Sequence, residues 1–292
     1  MKCIICLKED VELTKEHIIP EALGNQSFVL HCVCKQCNSL LGDKIDAANC
    51  NNLLAQFHRQ ENKIYGKAKD LPNPFKEGTT DDGLRVRLSA DLKPTLVDKV
   101  EKDEEGYRVR TSSAQQAIDI INKIFARKGA APLTKEMKDE ILANEPYKCQ
   151  PTINFDFEFD ITKYKLELIK IAYESLYFAF GEKILSDKKI QSLRQILSDY
   201  LYENEVDEEK LSQIAGSMSE TDIPSQMEEL KRQNSNVQAA HVVSIVPRDN
   251  SDIIIMILVE GMLPGVVRIE QPELINEYYE WMKFITLPDV GL

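Results

Sequence analysis

Two cysteine pairs, Cys3-Ile4-Ile5-Cys6 and Cys34-Lys35-Gln36-Cys37, constrain this chain more than any other feature. A gap of two residues lets both thiolates of a pair turn toward one ion. Two such knuckles complete a tetrahedral zinc site with no ligand position left open. Six of the seven cysteines fall in the first fifty residues, and an odd count without a visible secretory signal speaks against a disulfide framework. Neither pair opens a helix after a strand in a βαβ setting, so a redox dithiol is disfavoured. Cys3, Cys6, Cys34 and Cys37 are the expected ligands of a structural zinc. Cys32 competes with them, because Cys32-Val33-Cys34 also sets sulfurs close together. Cys50 and Cys149 are read as ordinary buried thiols.

Between the knuckles runs Glu16-His17-Ile18-Ile19-Pro20-Glu21-Ala22-Leu23-Gly24-Asn25, and Asn38 follows the second knuckle directly. In order, the elements are CxxC, an acid and His followed by two aliphatics and Pro, then CxxCN. With these elements residues 1–50 resemble the HNH endonucleases, in the branch whose ββα-metal module is stapled by two CxxC knuckles. The resemblance implies His17 as general base, with Glu16 and Asn38 holding a catalytic Mg²⁺ or Mn²⁺, and DNA as substrate. The chemistry agrees with the residue types. Phosphodiester hydrolysis needs a base for water and a cation for the charge developing on phosphorus and the leaving oxygen. An imidazole titrates in the right range, and hard oxygen ligands suit a divalent ion that keeps exchangeable waters.

The family's middle Asn has Asn25 as its nearest counterpart here. Gly42 stands where some members carry a second His, and Asp46 or His31 are the substitutes within reach. Taken singly, His17 reads as a packed histidine, Glu16 as a surface acid and Asn38 as the cap of a short helix beginning near Ser39. The zinc frame joins them. His58 is placed on a helix face. Lys35, Lys44, Arg59, Lys63, Lys67 and Lys69 are either phosphate contacts or a solvated face.

Charge separates this beginning from the rest. The chain of 292 residues carries 36 basic and 48 acidic side chains, a net −12, and the first seventy residues are balanced. The acidity lies in residues 71–292, which argues against broad non-specific coating of nucleic acid by that part. The expected organisation is α+β throughout. A zinc-stapled ββα-metal module occupies 1–70, and an acidic α+β domain without an assignable task occupies 71–292. No apolar run reaches the roughly 20 residues of a membrane-spanning helix, so a cytoplasmic protein is expected.

In the second part, Leu84–Leu88 and Tyr107–Arg110 alternate as strands on either side of a turn at Asp103–Gly106. Helices are expected over Ser113–Lys128, Thr134–Ala143, Tyr164–Ile184 and Lys188–Tyr202. Ile153–Phe159 reads as one strand, Met218–Ser235 as an exposed or mobile segment, and His241–Val246, Ile253–Glu260 and Val266–Ile269 as strands. A last helix is expected from Pro272, carrying Tyr278, Tyr279 and Trp281. Homo-oligomerisation or a regulatory partner is the expected use of this domain. The functional reading is a metal-dependent HNH endonuclease, with a role in restriction or defence against phage. The alternative is a zinc-knuckle adaptor that has lost catalysis.

Overall fold

The structure is a computed structural model that describes residues 2–65, 70–89, 93–102, 104, 106–143, 152–218, 241–248, 251–276 and 282–286. Its contacts group the chain into two compact units, one made of 1–72 with 158–292 and the other of 73–157. The sequence reading cut the chain near residue 70. The fold instead returns the chain after 157 to the unit in which it began.

The first unit opens with β1 (Leu13–His17) and β2 (Val29–Cys34), paired antiparallel. Thr14 faces Val33 and Glu16 faces Leu30, so His31 and Cys32 together oppose the single residue Lys15. Such a bulge bends the strand and re-aims the side chains beside it. Helix α1 (Lys35–Leu41) follows at once, with the Cys34 sulfur accepting the Cys37 N–H as N-cap. The helix therefore begins four residues before the expected Ser39, and Asn38 lies inside it rather than capping it. A π-helical stretch, Gly42–Asp46, continues into α2 (Ala47–Asn51), and α3 (Leu53–Glu61) closes the segment.

The second unit carries a four-stranded antiparallel sheet and a hairpin. Its strands are β3 (Glu77–Thr80), β4 (Arg85–Leu88), β5 (Pro94–Leu96), β6 (Lys99–Lys102), β7 (Tyr107–Arg110) and β8 (Ile153–Asn154). The sheet order is β5-β4-β3-β8, and β6 pairs with β7. Helix α4 (Ala114–Arg127) is capped by the Ser113 hydroxyl, as its sequence predicts, and α5 is Lys135–Ala143. The strand expected over Ile153–Phe159 ends at Asn154. Beyond it the rings of Phe155 and Phe157 pack against Phe75 at 5.0 and 6.2 Å. An aromatic cluster takes the residues that alternation alone assigns to a ladder.

The chain then re-enters the first unit as α6 (Ile161–Phe180), followed by α7 (Lys188–Glu203), α8 (Glu208–Ile214) and β9 (Ala215–Ser217). Strands β10 (His241–Arg248), β11 (Asp252–Leu258), β12 (Gly265–Glu270) and β13 (Met282–Thr286) complete a five-stranded antiparallel sheet in the order β13-β10-β11-β12-β9. Most of the helix expected from Pro272 lies outside the described residues. A 3-10 turn forms at Glu273–Asn276, and β13 pairs antiparallel with β10. Tyr278, Tyr279, Trp281, Cys149, Lys67, Lys69, Asp103, Glu105 and the segment 219–240 lie outside the described residues.

One hydrophobic core runs through the first unit. Ile4, Ile18, Ile19, Val33, Leu41 and Ile45 of the N-terminal part pack with Leu166, Ile169, Ile171 and Tyr173 of α6 and Ile255 and Val267 of the sheet. From Leu166 to Leu176 every residue of α6 is buried, so this helix is wrapped on all sides. A ββα segment of this size exposes much of its own surface, and α6 supplies the missing half of its core. Tyr173 donates its hydroxyl to the Ile4 carbonyl at 2.9 Å, and Arg194 of α7 donates to the Ile5 carbonyl at 3.0 Å. Both hold the first knuckle.

Candidate metal centre and nuclease site

The four expected cysteines meet. The sulfurs of Cys3, Cys6, Cys34 and Cys37 all lie within 4.8 Å of one another, and Cys6 Sγ to Cys34 Sγ is 3.8 Å. A tetrahedron of sulfurs at about 2.3 Å from zinc has edges of about 3.8 Å. Backbone amides point into the cluster: Cys34 N–H donates to Cys3 Sγ at 3.3 Å and Cys37 N–H to Cys34 Sγ at 3.5 Å. The hydrogen bond with Cys37 holds the Cys3 thiol down to about 4, while that same bond and burial push Cys37 far up. The four-sulfur donor set fits a structural zinc. Cys32 is not part of it. That thiol is pushed up to about 12, first by burial and then by Glu174.

Tyr202 of α7 is a contact the sequence did not disclose. Its hydroxyl lies 3.1 Å from Cys37 Sγ. Partners of this kind orient metal ligands and tune their charge.

Glu16 and His17 part company at the end of β1. Glu16 turns inward, with 3% of its surface exposed, and His17 is half-buried. The Glu16 carboxylate meets the ammonium of Lys170 on α6 at 3.1 Å. The same ammonium donates to Asp46 Oδ1 at 3.0 Å and to the His17 carbonyl at 3.1 Å, and Glu167 Oε1 lies 3.9 Å away. Burial alone would strip the proton from Lys170. The carboxylates of Asp46, Glu16, Glu167 and Glu174 outweigh it and raise the pKa well above the usual lysine value. Burial also raises the Glu16 carboxyl, against the pull of Lys170.

The His17 ring is the open element. Its Nε2 is shielded from solvent and has no hydrogen-bond partner among the described residues. Burial lowers its pKa, with Glu21 opposing, so the imidazole is neutral at pH 7. Asn38 stands apart from these groups. Its amide donates to the Lys15 carbonyl at 2.7 Å, fastening α1 to β1, and no hydrogen bond joins it to Glu16 or His17.

Asn25 is fully buried and braces the connection between the strands. Its Nδ2 donates to the carbonyls of Ile19 and Phe28 at 2.7 and 3.0 Å, and its Oδ1 accepts the Phe28 N–H at 3.0 Å. Asp46 reaches the Glu16 neighbourhood because the π-helical turn carries it there, whereas His31 is exposed. His58 lies on α3 and is buried, as is Arg59. Lys44 donates to the Leu201 carbonyl at 2.7 Å and to Asn204 at 2.6 Å. Two of the basic side chains proposed for phosphates thus have structural settings instead.

Sequence reasoning missed Glu167, Lys170 and Glu174. They sit at i, i+3 and i+7 on α6, one face of a helix whose surroundings are apolar. Both oxygens of Glu167 and both of Glu174 are buried without a hydrogen-bond partner. Burial pushes both carboxyls well above the usual carboxylate range. Glu16, Asp46 and Glu167 therefore gather around the one buried ammonium of Lys170, with burial driving Glu167 toward its neutral form.

A Cys₄ knuckle pair that could hold zinc staples a ββα unit, with an acid and a histidine ending its first strand, an arrangement of the kind nuclease modules use. Residues 3–54 match the family described as HNH endonuclease. The module is accordingly an HNH endonuclease domain, and nuclease activity on a nucleic-acid substrate is the function the family suggests. The match covers the N-terminal part alone. No curated protein and no solved structure matches the chain. No helix among the described residues is long and apolar enough to cross a membrane.

Proposed function

We propose that the chain is a divalent-metal-dependent endonuclease acting on DNA, with His17 as general base. What supports the reading is one observation: inside the segment that matches HNH endonucleases, His17 carries a neutral, unpartnered Nε2. That nitrogen takes the proton from the water that attacks phosphorus. Lys170 holds the His17 carbonyl, and Asn25 holds the loop that follows, so the ring is carried on a fixed backbone. The Cys₄ zinc staples β2 to the chain start and takes no part in the reaction. A bound Mg²⁺ or Mn²⁺ supplies positive charge for the phosphorane and the leaving oxygen. Glu16 is its first ligand in this reading and Asn38 its second. A cytoplasmic setting in restriction or phage defence is the biological role the resemblance implies.

The deciding experiment is cleavage of supercoiled plasmid by wild type and His17→Ala, each with full zinc content, in Mg²⁺, Mn²⁺ or EDTA. Metal-dependent cutting that is lost in the variant is expected. Cutting that survives His17→Ala rejects the assignment of the base.

A second reading has its own observation. Glu16 is buried on an internal ammonium, as a purely structural ion pair would be. A zinc-knuckle adaptor without catalysis requires no more than that. It is distinguished by plasmid that stays intact under every metal.

A further inference from the structure

We propose that the cleft between α7, α8 and strand β12 binds a nucleoside monophosphate, with Lys189 and Lys210 on its phosphate. None of the residues lining this cleft lies in the matched segment 3–54. The inference goes beyond the nuclease reading and does not depend on it.

Three cations from three elements meet there: Lys189 of α7, Lys210 of α8 and Arg268 of β12. Lys189 and Leu193 stand at i and i+4, and Lys210 and Gln213 at i and i+3, so each helix turns one face to the cleft. Asp252 fixes the Arg268 guanidinium, accepting from Nε at 2.9 Å and from Nη2 at 2.6 Å. Glu270 is the one acid of the lining, and it lies 3.8 Å from the same guanidinium. Both acids thus serve the arginine. The ammonium groups of Lys189 and Lys210 have neither an ion pair nor a hydrogen bond among the described residues, and neither has the side-chain amide of Gln213. In a chain with 48 acidic against 36 basic side chains, this cleft holds two uncommitted positive charges.

Size and floor narrow the occupant. The cleft has a volume of about 290 Å³, at the lower end of the roughly 300–1,000 Å³ that small-ligand sites span. Leu193 and Ile269 of its lining are buried and Ile214 is half-buried, so an apolar wall lies beside the charges. Charge of one sign over a low-dielectric wall focuses the field and draws in an anion. A bare inorganic anion leaves the apolar wall uncovered. A nucleic-acid strand is held along a positively charged groove that follows its backbone, rather than in a compact cleft. A phosphate monoester with a flat organic body uses both parts. The two ammonium groups take the phosphate oxygens in charge-assisted hydrogen bonds, the base covers the isoleucines and Leu193, and the Gln213 amide offers a donor and an acceptor to the base edge.

The test is isothermal titration calorimetry of the full-length, zinc-loaded chain with adenosine 5′-monophosphate, and with adenosine as the probe that lacks the phosphate. It needs no nuclease activity, so it stands apart from plasmid cleavage. One nucleotide per chain is expected, with adenosine failing to bind. Lys189→Met and Lys210→Met each remove a hydrogen bond to a charged group, so affinity should fall about tenfold or more in each. Both lysines are exposed, so the fold does not rest on their charge, and circular dichroism verifies it. Lys135→Met, an exposed lysine on α5, should leave the affinity unchanged. No nucleotide uptake by wild type at millimolar concentration overturns the site, as does adenosine binding as tightly as the nucleotide. Weakening by Lys135→Met equal to that of the cleft variants overturns it too, since the binding is then a general charge effect. A short DNA duplex that binds through Lys189 and Lys210 while the nucleotide does not bind overturns the proposal in favour of a backbone contact.

Discussion

Lys170 on a buried helix meets Glu16 at the end of the first strand at 3.1 Å, and both side chains are closed to solvent. The contact ties the nuclease module to a helix that the chain reaches only after an intervening compact unit.

Lys170→Met tests how much that tie holds. Removing one partner of a buried ion pair leaves the other uncompensated and costs roughly 3–5 kcal/mol. The Glu16 carboxyl, already raised by burial, loses its lysine and rises further in the folded protein. A folded-state carboxyl pKa above the unfolded one favours the fold below the unfolded pKa, near 4.3, and that advantage is lost as pH rises through the folded value. The deficit of Lys170→Met relative to wild type, measured by urea unfolding, is therefore larger at pH 7.5 than at pH 5. A deficit that does not change with pH rejects this account.

The zinc assignment predicts a split among neighbouring cysteines. Cys37→Ser should lose the metal, counted by a colorimetric chelator after denaturation, whereas Cys32→Ser should keep one zinc per chain. Tyr202→Phe keeps the ring and removes the hydroxyl 3.1 Å from Cys37 Sγ. Loss of such a supporting contact weakens metal affinity about 10-fold or more. Chelation of the zinc should lower the melting temperature markedly, since the knuckles close the N-terminal part of the core.

Two buried histidines predict acid sensitivity. His241 Nε2 and His58 Nε2 lie 3.0 and 3.1 Å from the same acceptor, the Leu23 carbonyl. The Glu260 N–H donates to His241 Nδ1, so the His241 proton sits on Nε2 and the ring is neutral. Burial first, then the neighbouring His58, brings His241 down to about 4. A histidine whose folded pKa lies below the unfolded 6.5 contributes fully above 6.5, and the contribution is lost as pH falls toward the folded value. The loss amounts to roughly 3 kcal/mol. Denaturation profiles between pH 7 and pH 4.5 should therefore be flatter for His241→Gln than for wild type.

Gly265 predicts a packing limit. A Cβ there would overlap the methyl groups of Leu168 on α6. Gly265→Ala should destabilise the first unit by about 1–3 kcal/mol. The companion change Leu168→Ala opens space, so the double variant should lose less than the two single losses added together.

Much of the site was legible in the primary structure. The cysteines of the two CxxC pairs cluster as their spacing predicts, and the helices of residues 114–127, 161–180 and 188–203 follow their apolar periodicity. Glu167, Lys170 and Glu174 were not legible. A stripe of charges at i, i+3 and i+7 ordinarily marks the solvent face of a helix, and nothing local says that this one points inward. The strand expected over Ile153–Phe159 was misjudged for a related reason, since it ends at Asn154. An aromatic cluster with Phe75, distant in sequence, decided it.

The sequence by itself determined the four cysteines that cluster, because a two-residue gap turns both thiols of a pair to one side. Only the tertiary structure decided which charge Glu16 faces. A ββα segment cannot bury its own inner face, so the fold brings in a helix from beyond residue 157 to cover it. That helix brings Lys170 and Glu167 into contact with Glu16 and Asp46, a pairing that no local spacing encodes.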